Sequence, residues 1–97
     1  MGWKVVLSVR SQRDIQKIVG TIARDDPAAA KRFGFELIAK AKFVANAPEM
    51  GVAMPARPGA RLFPCGSYLI IYRLDRKRQT VRILRFWHGA RGKRPLR

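Results

Sequence analysis

The chain has little with which to bind a metal, close a disulfide or build a hydrolytic triad. One cysteine, Cys65, and one histidine, His88, stand among 97 residues. A lone thiol forms no internal disulfide, which suits a reducing compartment. One histidine, one cysteine and six scattered acids make no recognisable ligand set, so neither metal nor cofactor is expected. Neither Ser67 nor Thr80 lies in a nucleophile motif, and Gly89 and Gly92 form no phosphate-cradling loop. No apolar run approaches the roughly 20 residues of a membrane span, and no signal-peptide pattern opens the chain. A cytoplasmic protein with no membrane partner is expected. Repeats and low-complexity segments are missing too.

Acidic residues are the other scarcity. Six stand against 21 Lys and Arg, for a net charge of +15 and a pI near 11.6. The imbalance is steepest after residue 50, where Asp75 is the sole acid among the basic residues from Arg57 to Arg97. Such an excess strains the compact state by self-repulsion and calls for a polyanion or an acidic protein as partner. A hydrophobic fraction of 47% is enough to build a core, which argues against wholesale disorder. At this length one domain over residues 1–97 is expected.

In "WKVVLSVR", Trp3, Val5, Leu7 and Val9 alternate as one face of a strand. Ser11, three residues before Asp14, is a cap-like signal for a helix start. Ile15, Ile18, Val19 and Ile22 then follow at helical spacing. Gly20 weakens this helix modestly and leaves room for another element to approach. Asp26 suits an N-cap and Pro27 a first helical position. Ala30, Phe33, Leu37, Ala41 and Val44 continue one apolar stripe to about Ala45. The short connection makes the two helices an antiparallel hairpin.

Asn46–Ala60 carries prolines and glycines with no sustained period and reads as an irregular loop. Three short strands follow, Arg61–Pro64, Tyr68–Leu74 and Thr80–Trp87, separated by the turn "PCGS" and by the charged turn Asp75–Gln79. The tail, about residues 89–97, is basic and has no helical stripe. The fold class is therefore α+β in the order β-α-α-β-β-β: an antiparallel sheet of three to four strands packed against an α-helical hairpin.

His88 ends the last strand beside Arg85 and Arg91. An imidazole can move a proton during phosphodiester cleavage, and arginines can hold a phosphate. The alternative is that His88 packs locally. Arg57, Arg61, Arg73, Arg82, Arg85 and Arg91 fall on or beside the three-stranded meander. Arg73 and Arg85 lie mid-sheet, where a charge needs a counter-ion. A phosphate, an acidic peptide, or Asp75, Glu36 or Glu49 of the chain itself could supply it. Tyr68, Tyr72, Phe86 and Trp87 could stack on bases, but in a small sheet they serve more often as core. "RKR" at Arg76–Arg78 suits a soluble hairpin tip.

The segments "SQRDIQKIVGTIARDDPAAAKRF", "NAPEMG", "GARLFPCGSYLIIYRLD" and "ILRFWHGAR", in this succession, resemble the RelE/ParE superfamily of bacterial type II toxins over nearly the whole chain. The resemblance implies a growth-inhibiting toxin of a plasmid-stabilisation type, paired with an acidic antitoxin that folds on it in a toxin–antitoxin hetero-oligomer. RelE-like members cut messenger RNA in the ribosome, and ParE-like members are thought to inhibit DNA gyrase. RelE-like nucleases commonly carry an arginine after the tyrosine that opens the penultimate strand; here Leu69 follows Tyr68. Their tyrosine beyond the last strand has no counterpart in "HGARGKRPLR", and the lysines of the preceding strand are reduced to Arg61. A ParE-like gyrase inhibitor without enzymatic activity is the favoured expectation. Arg57, Arg61, Arg82, Arg85, His88 and Arg91 would then contact a partner. The alternatives are an endoribonuclease using His88, Arg61 and Arg85, and a non-toxic basic module that binds nucleic acid.

Overall fold

A computed structural model describes residues 2–89. Its elements run β1 (Lys4–Leu7), α1 (Val9–Ala23), α2 (Pro27–Val44), β2 (Val52–Ala53), β3 (Ala60–Cys65), β4 (Tyr68–Asp75) and β5 (Thr80–His88). The sheet has five strands in the order β1-β5-β4-β3-β2. This is one strand more than expected, because the loop contains the two-residue β2. The sheet is also mixed rather than antiparallel, since β1 pairs in parallel with β5 while the other pairs are antiparallel.

The first helix begins three residues earlier than the Ser11 signal suggested. Ser8 is the N-cap, in extended backbone, and its hydroxyl accepts the Ser11 N–H at 3.0 Å. That hydroxyl also donates to the Leu84 carbonyl at 3.1 Å, so one serine ends β1, starts α1 and ties both to β5. Asp26 caps α2 as expected, accepting the Ala29 N–H, with Pro27 in the first turn. The helices pack where Gly34 faces Val19: an added Cβ there would lie 3.2 Å from the valine methyl. Gly20, the position expected to admit a neighbour, faces open space instead.

The hairpin covers one face of the sheet. Leu37, Ala41 and Val44 from α2 and Ile18 from α1 meet Ile70, Tyr72, Val81, Ile83 and Phe86 in the main core. Each such aliphatic side chain contributes about 1.5–3 kcal/mol through burial. On the other face a smaller cluster of Met54, Ala60, Leu62 and Ile71 is rimmed by Leu69, Leu84 and Trp87.

One irregularity reorganises the end of the sheet. Ile71 pairs with Arg85 but Tyr72 pairs with Ile83, which leaves Leu84 as an extra residue in β5. The bulge shifts the alternation. Val81 and Ile83 face the helices before it, and Phe86 does so after it.

A polar clamp holds the loop that precedes β2. The buried Tyr72 hydroxyl donates to the Pro48 carbonyl at 2.8 Å and accepts the Gly51 N–H at 2.9 Å. Gly51 is there because a Cβ would collide with that hydroxyl and with the Leu62 carbonyl. Tyr72→Phe strands a buried amide and carbonyl and is expected to cost about 1–3 kcal/mol. Gly51→Ala should cost at least as much, and chemical denaturation midpoints of the two variants check both.

Candidate functional site

The sequence-derived site residues do not gather in one place. Arg61 lies on β3 opposite Tyr72, and His88 lies on β5 opposite Tyr68. The offset is about 13 Å along the strands and about 10 Å across them. The trio of His88, Arg61 and Arg85 is therefore not assembled. Arg91 lies outside the described residues, as does the tail beyond Gly89.

Each arginine has its own setting. The Arg61 guanidinium donates to the carbonyls of Glu49 (3.1 Å) and Gly51 (2.9 Å), joining Tyr72 in the clamp on the loop. Above the same loop, Arg76 pairs with Glu49 at 2.9 Å. The hydrogen bond from Arg76, reinforced by its charge, holds the Glu49 carboxyl below the usual carboxylate range. The pair therefore supports the loop above the ordinary glutamate pKa, and its support fades as pH falls through the lowered value. Arg57 is half-buried in the loop before β3. Arg82 is exposed on the sheet face that the helices leave uncovered.

Arg85 is the clearest departure from expectation. Read by strict alternation, it would share the helix-facing side with Val81 and Ile83, an unpaired charge in a core. The bulge releases it from that side, and it meets Asp14 of α1 with Nε to Oδ2 at 2.7 Å and a second nitrogen to Oδ1 at 3.1 Å. The same Oδ2 accepts the Phe86 N–H at 3.0 Å. β1 ends opposite Ile83, so this carboxylate replaces the strand partner that the β5 edge lacks at Phe86. Both side chains are largely buried, at 17% and 14% exposure, which makes the bidentate geometry necessary. Arg85 also stacks over Trp87 at 5.0 Å. None of Asp75, Glu36 and Glu49, the candidates from the sequence, is its partner.

Beside this bond lies a cleft of about 300 Å³ between α1 and the end of β5, lined in part by Lys17, Thr21, Tyr68, Arg85 and His88. The His88 ring stands edge-on to Tyr68 at 4.8 Å, and Tyr68 in turn meets Phe33 at 5.4 Å. His88 thus packs on an aromatic ladder at the cleft wall. Lys17 was not singled out in the sequence: it lies one turn beyond Asp14 on α1, and only the helical period could have placed it here. Tyr72 and Phe86 are core, as aromatics of a small sheet tend to be, while Tyr68 and Trp87 are partly buried. Burial pushes the Cys65 thiol and the Tyr72 hydroxyl up from their ordinary pKa values, which disfavours their reactive anionic forms. Among the described residues no group of His, Cys, Asp and Glu is arranged to hold a metal, and no helix is long and apolar enough to cross a membrane.

Residues 5–92 match the family model described as the ParE toxin of the type II toxin–antitoxin system parDE. A curated relative, toxin RelE1 of Caulobacter vibrioides, is 33% identical over 91 residues, covering 92% of this chain and 96% of its own. Among solved structures, a chain of the chromosomal ParDE system from P. aeruginosa superposes with a TM-score of 0.76. It covers 89% of this chain and 95% of that one at 16% identity, a likeness of fold alone. A chain of the RelBE2 toxin–antitoxin complex from Mycobacterium tuberculosis gives 0.62 at 26% identity, covering 91% and 99%.

The clamp on the loop yields a test of what Arg61 does. Arg61→Ala should lower the melting temperature by about 4–8 °C for each kcal/mol lost. It should also accelerate amide exchange at Gly51 and Val52. Unchanged exchange there would mean that the guanidinium is not holding the loop.

Proposed function

The chain belongs to the ParE toxin family of type II toxin–antitoxin systems, and from that membership we propose a growth inhibitor that is neutralised by an acidic antitoxin and acts on DNA gyrase. The names of its relatives divide between the ParE and RelE branches, and the side chains of this chain favour the first. The observation that carries the reading is the engagement of the two arginines a nuclease would need. Arg85 is held by the Asp14 carboxylate, and Arg61 is bonded to two backbone carbonyls. A guanidinium that stabilises a transition-state phosphate has to be free to meet the substrate, and both of these already hold partners within the chain. The excess of positive charge gives an acidic antitoxin a strong electrostatic partner.

A second reading, a ribosome-dependent endoribonuclease, draws on the cleft in which His88, Tyr68 and Lys17 meet. A non-toxic module that binds nucleic acid is the third. They separate on induction in cells. The gyrase reading expects loss of viability with gyrase-dependent DNA breaks and intact messenger RNA. Transcripts cut at ribosomal A sites with undamaged DNA would contradict it, and the absence of any growth defect would favour the module. His88→Ala should alter killing by less than about tenfold, whereas removal of a general acid or base costs roughly 10²–10⁴-fold.

A further inference from the structure

The cleft beside the Asp14–Arg85 bond gathers polar groups that the chain leaves unused. Asp14, Lys17, Ile18 and Thr21 follow the helical period on α1 and so share the face that meets the end of β5. Tyr68 and His88, directly opposite each other on β4 and β5, close the other side. Asp14 is fully committed: one oxygen accepts from Arg85, the other from Arg85 and the Phe86 N–H. Lys17 lies one turn from that carboxylate, yet its ammonium has no partner among the described residues. The Tyr68 hydroxyl and the His88 ring nitrogens make no hydrogen bond among them either. No buried side-chain polar atom goes without a partner, so these groups remain within reach of whatever enters the cleft.

The make-up of the cleft defines what would fill it. Ile18 and Phe86, both buried, give it an apolar floor. Two cations, Lys17 and Arg85, and one anion, Asp14, line it, which leaves a single positive charge with His88 counted neutral. Because Arg85 is already bonded to Asp14, the uncompensated charge is that of Lys17. The volume of about 300 Å³ is at the small end of ligand sites, which span roughly 300–1,000 Å³. It admits one small molecule and no run of polymer.

We propose that this cleft binds a small monocarboxylic acid with an apolar or aromatic body. Lys17 takes the carboxylate, Tyr68 and His88 offer hydrogen-bond donors on the facing wall, and the body lies over Ile18 and Phe86. The Thr21 hydroxyl donates to the Lys17 carbonyl and keeps its lone pairs for a donor on the ligand. A monoanion is favoured over a phosphomonoester. The second charge of the latter would face the Asp14 carboxylate with no further unpaired cation in the cleft. The site depends on neither the gyrase nor the ribonuclease reading. Its occupation would bridge α1 to β4 and β5 and so stabilise the folded chain.

The test uses the ¹⁵N-labelled full chain with phenylacetate as the probe. Saturable amide shifts are expected at Lys17, Thr21, Tyr68 and His88. Lys17→Gln, at an exposed position, should melt with the parent. It should bind phenylacetate roughly tenfold more weakly, the loss of one charge-assisted hydrogen bond. Phenylacetamide, of the same shape but uncharged, should bind the parent more weakly by a similar factor. Saturating phenylacetate should raise the melting temperature of the parent, and the same concentration should raise that of the variant less. No saturable binding, shifts centred on Arg61, Arg73 and Arg82, or equal affinity in the variant would overturn the proposal. So would phenyl phosphate binding more tightly than phenylacetate, which would assign the cleft to a dianion.

Discussion

Asp14 closes the sheet at the point where strand pairing runs out. β1 accompanies β5 only as far as Ile83, and the bulge at Leu84 then turns β5 so that Arg85 and the Phe86 N–H can both meet one carboxylate. An edge left open there would expose an unpaired amide and strand a guanidinium against apolar surface. With the bond in place, α1 is anchored to a strand 71 residues further along the chain. The anchored helix forms one wall of the cleft that also holds Lys17 and His88. Removing either partner would leave the other largely buried without compensation, the situation in which an ion pair matters most.

The cations of this chain fall into two populations. One is engaged internally: Arg85 with Asp14, Arg61 with the loop carbonyls, Arg76 with Glu49. Within this chain "PEMG" and "IYR" are joined, because the Tyr72 hydroxyl, the Gly51 amide and the Pro48 carbonyl are parts of a single clamp. The Arg73–Arg82 pair stands apart, with no ion pair to either residue among the described residues. Architecture takes the first group and leaves the Arg73–Arg82 pair facing outward. The same division weakens the case for phosphate chemistry, because the best-placed arginines are already bonded.

The hairpin of helices and the meander of strands were legible in the sequence, since burial imposes periods of 3.6 and 2 that survive any detail of packing. Asp26 and Pro27 were legible for a local reason: a cap and a first helical turn depend only on neighbours a few residues away. What the sequence hid was long-range. Ser8 rather than Ser11 caps α1, because its hydroxyl also answers the Leu84 carbonyl across the fold. β2 was invisible, since two residues, Val52 and Ala53, carry no period. Arg85 could not be placed because a bulge has no signature in a run such as "TVRILRFWH", and one residue of slip moves a side chain to another face. The candidate site suffered most. Arg61, Arg85 and His88 look like companions on paper, and the register separates Arg61 from the other two.

The account stands or falls on whether Arg85 belongs to the fold or to a ligand, and a double-mutant cycle decides it. Asp14→Asn, Arg85→Gln and the double variant would be unfolded in denaturant, and the coupling between the two positions extracted. A bonded, largely buried pair predicts a coupling of about 1.5–3 kcal/mol. Additive effects, each within a few tenths of a kcal/mol, would mean that the pair is idle in the free protein and that Arg85 is available for chemistry after all.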